Sequence, residues 1–310
     1  MDPGSILPRT AGPAEALREA LAALEAGHAA AVATVVERRG SAPATPGQKL
    51  ALVWNARTNE ALRAVGTVGG GAIEQAVVRF MLDALADPTS QPKVHTFRLG
   101  PSLGMCCGGS ADILIEVMRP GCGVLLVGAG HVGLATARLV AELGFSVVLV
   151  DARDSAADPA RISELVARGV RFIGAEHDDP EVLEALASPT SSSALVVMTH
   201  DHALDQRVVE WALTRGFAFV GGVGSRAKAE RTRQRLRAKG VAEADVERVK
   251  MPVGTAIGAR RPLEIAVAIA GDLIEFRARR EQLVRGSGGD SIERADAEPP
   301  EPAHSRPIDA

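Results

Sequence analysis

The chain has 310 residues, a formal net charge of −3 and 46 % hydrophobic residues, enough for two ordinary domains with cores of their own. The small net charge and the lack of a basic run argue against nucleic acid or an anionic membrane surface as partner, and no stretch approaches the ~20 apolar residues of a membrane span. Three cysteines, two of them adjacent, make no disulfide framework, and the absence of any tyrosine excludes mechanisms that need a Tyr general acid.

Residues 1–12 lack the basic-then-apolar layout of a signal peptide and read as a flexible lead-in, so the chain is expected in the cytoplasm. The spacing over 13–26 predicts an amphipathic helix: Pro13 suits its first turn, Leu17, Leu21 and Leu24 share a face, and Gly27 is placed to end it. Residues 29–36 read as a buried strand, 37–47 as a long loop rich in Gly and Pro, and 49–54 and 61–65 as two more strands. Gly66-Thr67-Val68-Gly69-Gly70-Gly71 then leads into a helix over 72–85 whose first turn carries Glu74. Such a glycine run is either an anion-binding nest or a tight strand-to-helix turn.

Strands are predicted over 94–99 and 111–117. Between them lies Gly104-Met105-Cys106-Cys107-Gly108-Gly109. Adjacent thiols point in different directions, and the usual zinc spacing is Cys-x-x-Cys. A thiol among glycines is open to attack and close to backbone N–H groups that favour a thiolate; the other reading is two small buried residues at a bend. Residues 119–122 read as a linker, with Cys122 structural.

Residues 123–151 have the order strand, Gly-x-Gly-x-x-Gly, helix, strand and terminal carboxylate. Gly128, Gly130 and Gly133 permit the tight turn and the approach of a phosphate to the helix start, and Asp151 is suited to accept hydrogen bonds from a ribose and to repel a 2′-phosphate. The α/β alternation continues through a helix at 162–166, a strand at 170–173, a helix at 180–187 and a strand at 194–198. The last strand runs into Thr199-His200-Asp201-His202-Ala203-Leu204-Asp205. Groups at the carboxyl ends of strands in such sheets gather at ligand sites, whereas Thr199 or Asp201 also suits a cap for a helix over 203–215. A strand at 217–220 leads to Gly224-Ser225-Arg226 at another helix start, where Arg226 either clamps a phosphate or sits on a solvated basic face. Val253-Gly254 precedes a final helix from Pro262 to about residue 279. Residues 281–310 are poor in apolar side chains and are expected to be disordered.

Seven motifs occur in order: Gly40-Ser41-Ala42-Pro43, Gly66 to Glu74, Leu99-Gly100-Pro101 through Cys106-Cys107-Gly108-Gly109, Gly128 to Gly133 with His131, Met198 to Asp205, Gly224-Ser225-Arg226, and Pro252-Val253-Gly254. The set resembles the XdhC/CoxI family of accessory proteins for molybdenum hydroxylases, over roughly residues 14–280. Met105 departs from the Gln expected before the Cys pair.

The resemblance implies an α/β protein: an N-terminal α+β XdhC/CoxI domain over 13–118, then a Rossmann-type doubly wound parallel sheet over 123–280. It implies a cargo, the sulfurated molybdenum cofactor (a molybdopterin), delivered to apo xanthine dehydrogenase or a related molybdenum hydroxylase. A cysteine desulfurase and a second copy of the chain are further expected partners. Cofactor contacts are expected from Cys106 and Cys107 (as soft neighbours of Mo or of persulfide sulfur), Gly69, Gly70, Gly71 and Glu74. In the Rossmann part they are expected from Gly128, Gly130, His131, Gly133, Asp151, His200, Asp201, His202, Asp205, Ser225 and Arg226, with NAD or another adenine nucleotide as a second ligand. No catalytic residue is assigned. The alternative is a nicotinamide-dependent oxidoreductase with the His200–Asp205 cluster as proton relay, which gives the Cys-Cys glycine loop no role.

Overall fold

The computed structural model describes residues 6–56, 58–99, 109–153, 158–286 and 295–296. They divide into two compact units, the first built from the described residues up to Leu24, Ala29–Arg119 and 295–296, and the second from Pro120–Gly286 together with Glu25–His28.

In the first unit α1 (Pro13–Glu25) precedes the strands β1 (Ala29–Gly40), β2 (Lys49–Asn55) and β3 (Glu60–Gly66). The helix α2 (Gly71–Ala86) follows, then β4 (Lys93–Leu99) and β5 (Gly109–Met118). The sheet order is β4-β5-β1-β2-β3, antiparallel throughout, and the two-residue strand Ala295–Asp296 lies parallel beside β4. The central strand β1 is covered on both faces. Ala29, Ala31, Ala33 and Val35 join the core of α2 (Ile73, Val77, Val78, Met81, Leu85), while Ala30 and Val32 pack with Ala51 and Val53 against α1. Small side chains on the α1 side of the sheet let that helix approach closely.

The face that α1 buries is accordingly Ala16, Ala20 and Ala23, at i, i+4 and i+7. Leu17 is 42 % and Leu21 56 % exposed, so the leucine stripe is not the core face. A second correction concerns 37–40. These residues continue β1, paired with Gly109–Asp112 across a register shift after Val35. Arg39 donates to both Glu37 (2.8 Å) and Asp112 (3.1 Å) along that extension.

The second unit alternates strand and helix: β6 (Gly123–Val127), α3 (His131–Glu142), β7 (Ser146–Val150), α4 (Pro159–Ala167), β8 (Arg171–Ile173), α5 (Pro180–Glu184), β9 (Ala194–Val197), α6 (His202–Thr214), β10 (Phe219–Gly222), α7 (Arg226–Ala238), α8 (Glu243–Glu247), β11 (Val249–Lys250) and α9 (Pro262–Gly286). All six strands are parallel, in the order β11-β10-β9-β6-β7-β8. This is a doubly wound sheet: alternate residues Val124, Leu126, Val147, Leu149 and Val196 pack with α3 and α9, and Leu125, Val127, Val148, Val150, Leu195 and Val197 with α5, α6 and α7. Apolar side chains on both faces are what an all-parallel sheet demands. Asp158 and Asp179 each cap the next helix by accepting from the backbone N–H two residues on, with Pro as first helical residue.

Three features differ from expectation. The short α8 and β11 have no periodic signal, the strand read at 217–220 begins at Phe219, and α9 continues to Gly286, so 281–286 are helical. Residues 287–294 and 297–310, where the tail is read as disordered, lie outside the described residues. Among the described residues no helix is long and apolar enough to cross a membrane.

Candidate functional site

The strands β7 and β9 flank β6 on opposite sides, so the chain reverses its winding there, the place where open α/β sheets bind ligands beyond the strand carboxyl ends. A cleft of about 260 Å³ opens at that place. Its wall comes from Val127 and Gly128 at the end of β6, Val150 to Arg153 at the end of β7, Ala175 to His177 after β8, Thr199 to Asp201 after β9, and Leu204 and Arg207 of α6.

The glycines of the β6–α3 turn have separate physical reasons. Gly128 has φ 112°, and a Cβ there would lie 2.9 Å from the Met198 carbonyl oxygen. At Gly133 a Cβ would overlap the carbonyl oxygen of Gly128. At Gly130, by contrast, a Cβ meets nothing within 4 Å, and α3 begins there without a side-chain cap. The open side of the loop is therefore beside the helix N-terminus, where first-turn N–H groups are available to an anion. His131 is exposed at the helix start. Gly130, His131 and Gly133 adjoin the cleft without forming its wall.

Asp151 is buried, and both carboxylate oxygens are engaged. Oδ2 accepts from the Ala129 N–H (2.8 Å) and Arg153 Nη2 (2.7 Å), and Oδ1 from Arg153 Nε (2.9 Å) and its backbone N–H (3.1 Å). Burial raises the carboxyl pKa, but the hydrogen bonds from Arg153 and Ala129 outweigh it and hold the group below its ordinary value. Arg153 Nη1 donates to His200 Nδ1 at 3.1 Å, so that imidazole nitrogen is the acceptor. His177 is 7 % exposed, its ring lies edge-on to Trp211, and its Nδ1 has no hydrogen-bond partner among the described residues. Burial depresses its pKa, partly offset by Asp178 and Glu176.

Of the remaining predicted residues of this unit, two cap helices, one is held in a buried ion pair and two are exposed at helix starts. Asp201 caps α6, accepting from the N–H groups of Ala203 (2.7 Å) and Leu204 (3.3 Å). Asp205 is buried, pairs with the buried Lys228, and accepts from Thr199 Oγ1 at 2.6 Å. His202 is exposed at the start of α6. Ser225 caps α7 by accepting from the Lys228 N–H (3.2 Å), and Arg226 is exposed beside it. Lys228 thus locks the ends of β9 and β10 together, since it also donates to the Val223 carbonyl (3.0 Å). The loop at Val253-Gly254 is tied to α9 by Asp272, which accepts from the Gly254 N–H at 2.7 Å and pairs with Lys250 at 2.9 Å.

In the first unit, three glycine-bearing segments converge at one end of the sheet. Gly40 pairs with Gly109 across β1 and β5, a Cβ on Gly109 would press on Arg39 O and Ala42 N, and one on Gly69 would lie 3.1 Å from Ala44 N. The turn from Gly66 to Gly71 surrounds an anion of its own chain. Glu74 Oε2 accepts from Thr67 Oγ1 (2.7 Å), the Gly70 N–H (2.9 Å) and the Val68 N–H (3.2 Å). The inner donors of this turn, the Gly70 N–H among them, are therefore satisfied by Glu74, and α2 starts at Gly71 without a side-chain cap. Cys106 and Cys107 lie outside the described residues.

Sequence reasoning missed Arg153, His177 and Arg207 in the cleft wall. Arg153 stands two residues after the motif carboxylate Asp151, but its other side-chain partner, His200, is not local in sequence. His177 and Arg207 carry no local signal; the sheet brings them in.

Comparison with known proteins assigns the chain. Residues 23–98 match the XdhC and CoxI family, and residues 124–273 match the XdhC Rossmann domain. The uncharacterized protein YqeB of Escherichia coli (strain K12) is 31 % identical over 253 residues, covering 80 % of this chain and 43 % of that protein. A probable xanthine dehydrogenase subunit of Bacillus subtilis (strain 168) is 29 % identical over 170 residues, 55 % of this chain and 47 % of its own length. The chain thus spans less than half the length of these curated relatives. A solved structure, a xanthine dehydrogenase from Bacillus halodurans, aligns over 86 % of this chain and 97 % of its own at 16 % identity, with a TM-score of 0.44. The chain belongs to the XdhC and CoxI family.

Proposed function

We propose that this member of the XdhC and CoxI family is an accessory protein that holds the sulfurated molybdenum cofactor and delivers it to apo xanthine dehydrogenase or a related molybdenum hydroxylase. A cysteine desulfurase is the matching source of the terminal sulfur, and an adenine nucleotide occupies the cleft of the second unit. The observation that carries the reading is the convergence of Gly40–Ala44, Gly66–Gly71 and Gly109 at one end of the first unit's sheet, with Cys106 and Cys107 immediately before Gly108-Gly109 in sequence. The cargo is a phosphate-bearing pterin with a soft dithiolene and an oxidisable Mo=S group. Bare backbone permits close approach of its anionic end, and a thiolate is a fitting soft neighbour for its metal or sulfur. Glu74 shapes this surface by holding the inner turn, the Gly70 N–H included, so the exposed, uncapped start of α2 at Gly71 is what an anion meets.

Against the oxidoreductase reading, Asp205 is paired with the buried Lys228 and Asp201 accepts the first N–H groups of α6 through Oδ1, roles that support a structural rather than a relay use of this segment.

The test is retention of molybdopterin by the purified protein, read as its fluorescent oxidation product. Replacing both Cys106 and Cys107 with Ser is expected to abolish retention with the circular dichroism spectrum unchanged. Cys122→Ser is expected to retain it, because burial pushes the Cys122 thiol up to about 11 and keeps it protonated and unreactive. Equal retention by the double variant contradicts the role.

A further inference from the structure

We infer that the cleft of the second unit takes an adenine nucleotide whose ribose carries a phosphomonoester, held by Arg153 and Arg207. The inference rests on the reading of that cleft as a nucleotide site and reverses the ligand preference that Asp151 alone suggests.

The end of the second strand of a Rossmann sheet decides between two ribose chemistries. A carboxylate there receives the free 2′-hydroxyl, and an arginine there receives a 2′-phosphate. In this chain the strand is β7, and both residue types are present. Asp151 already accepts from four donors, the Ala129 N–H and three groups of Arg153. A ribose hydroxyl would have to displace one of these charge-assisted bonds, which are stronger than a neutral one.

Arg153 is the more available partner. Its side chain is 44 % exposed while that of Asp151 is 5 %. A guanidinium has five N–H donors. One is spent on Nε–H to Asp151, one on Nη2 to Asp151 and one on Nη1 to His200, so among the described residues one hydrogen on each terminal nitrogen is uncommitted. Those two are available to oxygens of a phosphate. Arg207, exposed on α6, lines the same cleft and adds a second guanidinium.

His177 also lines the cleft, but its Nδ1 is shielded from solvent and lies 4.0 Å from Glu176 Oε2, so the phosphate contacts rest on Arg153 and Arg207. Among the described residues the opposing charges in the wall are Asp151, Asp201 and Glu176. Arg153 cancels the first, and the second turns to the N–H groups that open α6. Glu176 remains exposed at the rim and is the carboxylate that a phosphate must avoid.

The experiment is calorimetric titration of the full chain at fixed ionic strength with NAD and with its 2′-phosphorylated form, NADP. NADP is expected to bind about tenfold or more tightly. Arg207→Ala, at an exposed position, is expected to erase most of that advantage. Arg153→Lys, which keeps the charge and loses the fork, is expected to reduce it in part. In competition, adenosine 2′-monophosphate is expected to displace NADP better than the 5′-monophosphate or inorganic phosphate does. Equal affinities for NAD and NADP, or equal displacement by inorganic phosphate, overturn this inference and leave the nucleotide site standing. Binding of neither dinucleotide at millimolar concentration overturns both.

Discussion

The carboxylate of Glu74 sits in a turn that offers three donors to one oxygen atom. Removing it strands a buried N–H at Val68, so Glu74→Ala is expected to cost about 1–3 kcal/mol and Glu74→Gln, which keeps an acceptor, less. Urea denaturation checks this, and equal midpoints for the two variants would refute it. Asp205 and Lys228 form a buried ion pair. Lys228→Met leaves the Asp205 charge buried and unpaired, an expected loss of about 3–5 kcal/mol, whereas the double change Lys228→Met with Asp205→Leu recovers a large part of it. A double variant no more stable than the single one contradicts that assignment. His177 provides the pH dependence. Burial lowers its folded pKa, so below the unfolded value of about 6.5 the unfolded chain binds a proton that the native one does not. Stability is therefore expected to fall as pH drops through that value toward the folded pKa, and His177→Asn to fall less over the same range. At this scale the sequence identifies functional residue types better than their partners. Asp151 and Asp205 occupy motif positions, but Arg153 and Lys228, which neutralise them, are set by chain geometry.

At the scale of elements, α1 carries two stripes of helical period, one of alanine and one of leucine, and hydrophobicity alone favours the wrong one. The deciding fact is the small residues it meets, Ala30, Val32, Ala51 and Val53, which a sequence pattern does not pair with it. Ala20→Leu is expected to destabilise by about 1–3 kcal/mol through overpacking, and Leu21→Ala to stay within about 0.5 kcal/mol; thermal denaturation distinguishes them. The β6–α3 turn makes a sharper comparison. Gly133→Ala places a methyl group against the Gly128 carbonyl oxygen and is expected to disrupt the second unit. Gly130→Ala has room and φ −72°, so it is expected to fold normally and to weaken nucleotide binding by filling the open side of the loop. Strong binding by a folded Gly130→Ala protein would exclude that side as the phosphate approach. The long elements of both sheets are legible in the sequence because period and glycine punctuation agree there. The five-residue α8 and two-residue β11 are not, since neighbouring strands, not local preference, hold them.

For the whole molecule, the order of the seven motifs carries more information than any one of them. It spans both units, and the matched segments, residues 23–98 and 124–273, lie in the same succession. Each unit brings its own motifs together: glycine segments at one end of an antiparallel sheet in the first, and the strand carboxyl ends around a cleft in the second. A carrier needs a shielding surface for its cargo and a way to recognise the acceptor, and it has no use for a proton relay. The most direct measurement is activation of apo xanthine dehydrogenase by sulfurated molybdenum cofactor, with and without the purified chain. The account predicts more active hydroxylase when the chain is added and no hydride transfer by the chain with either nicotinamide cofactor. Unchanged activation, together with steady reduction of a nicotinamide cofactor by the chain and a small substrate, would contradict it.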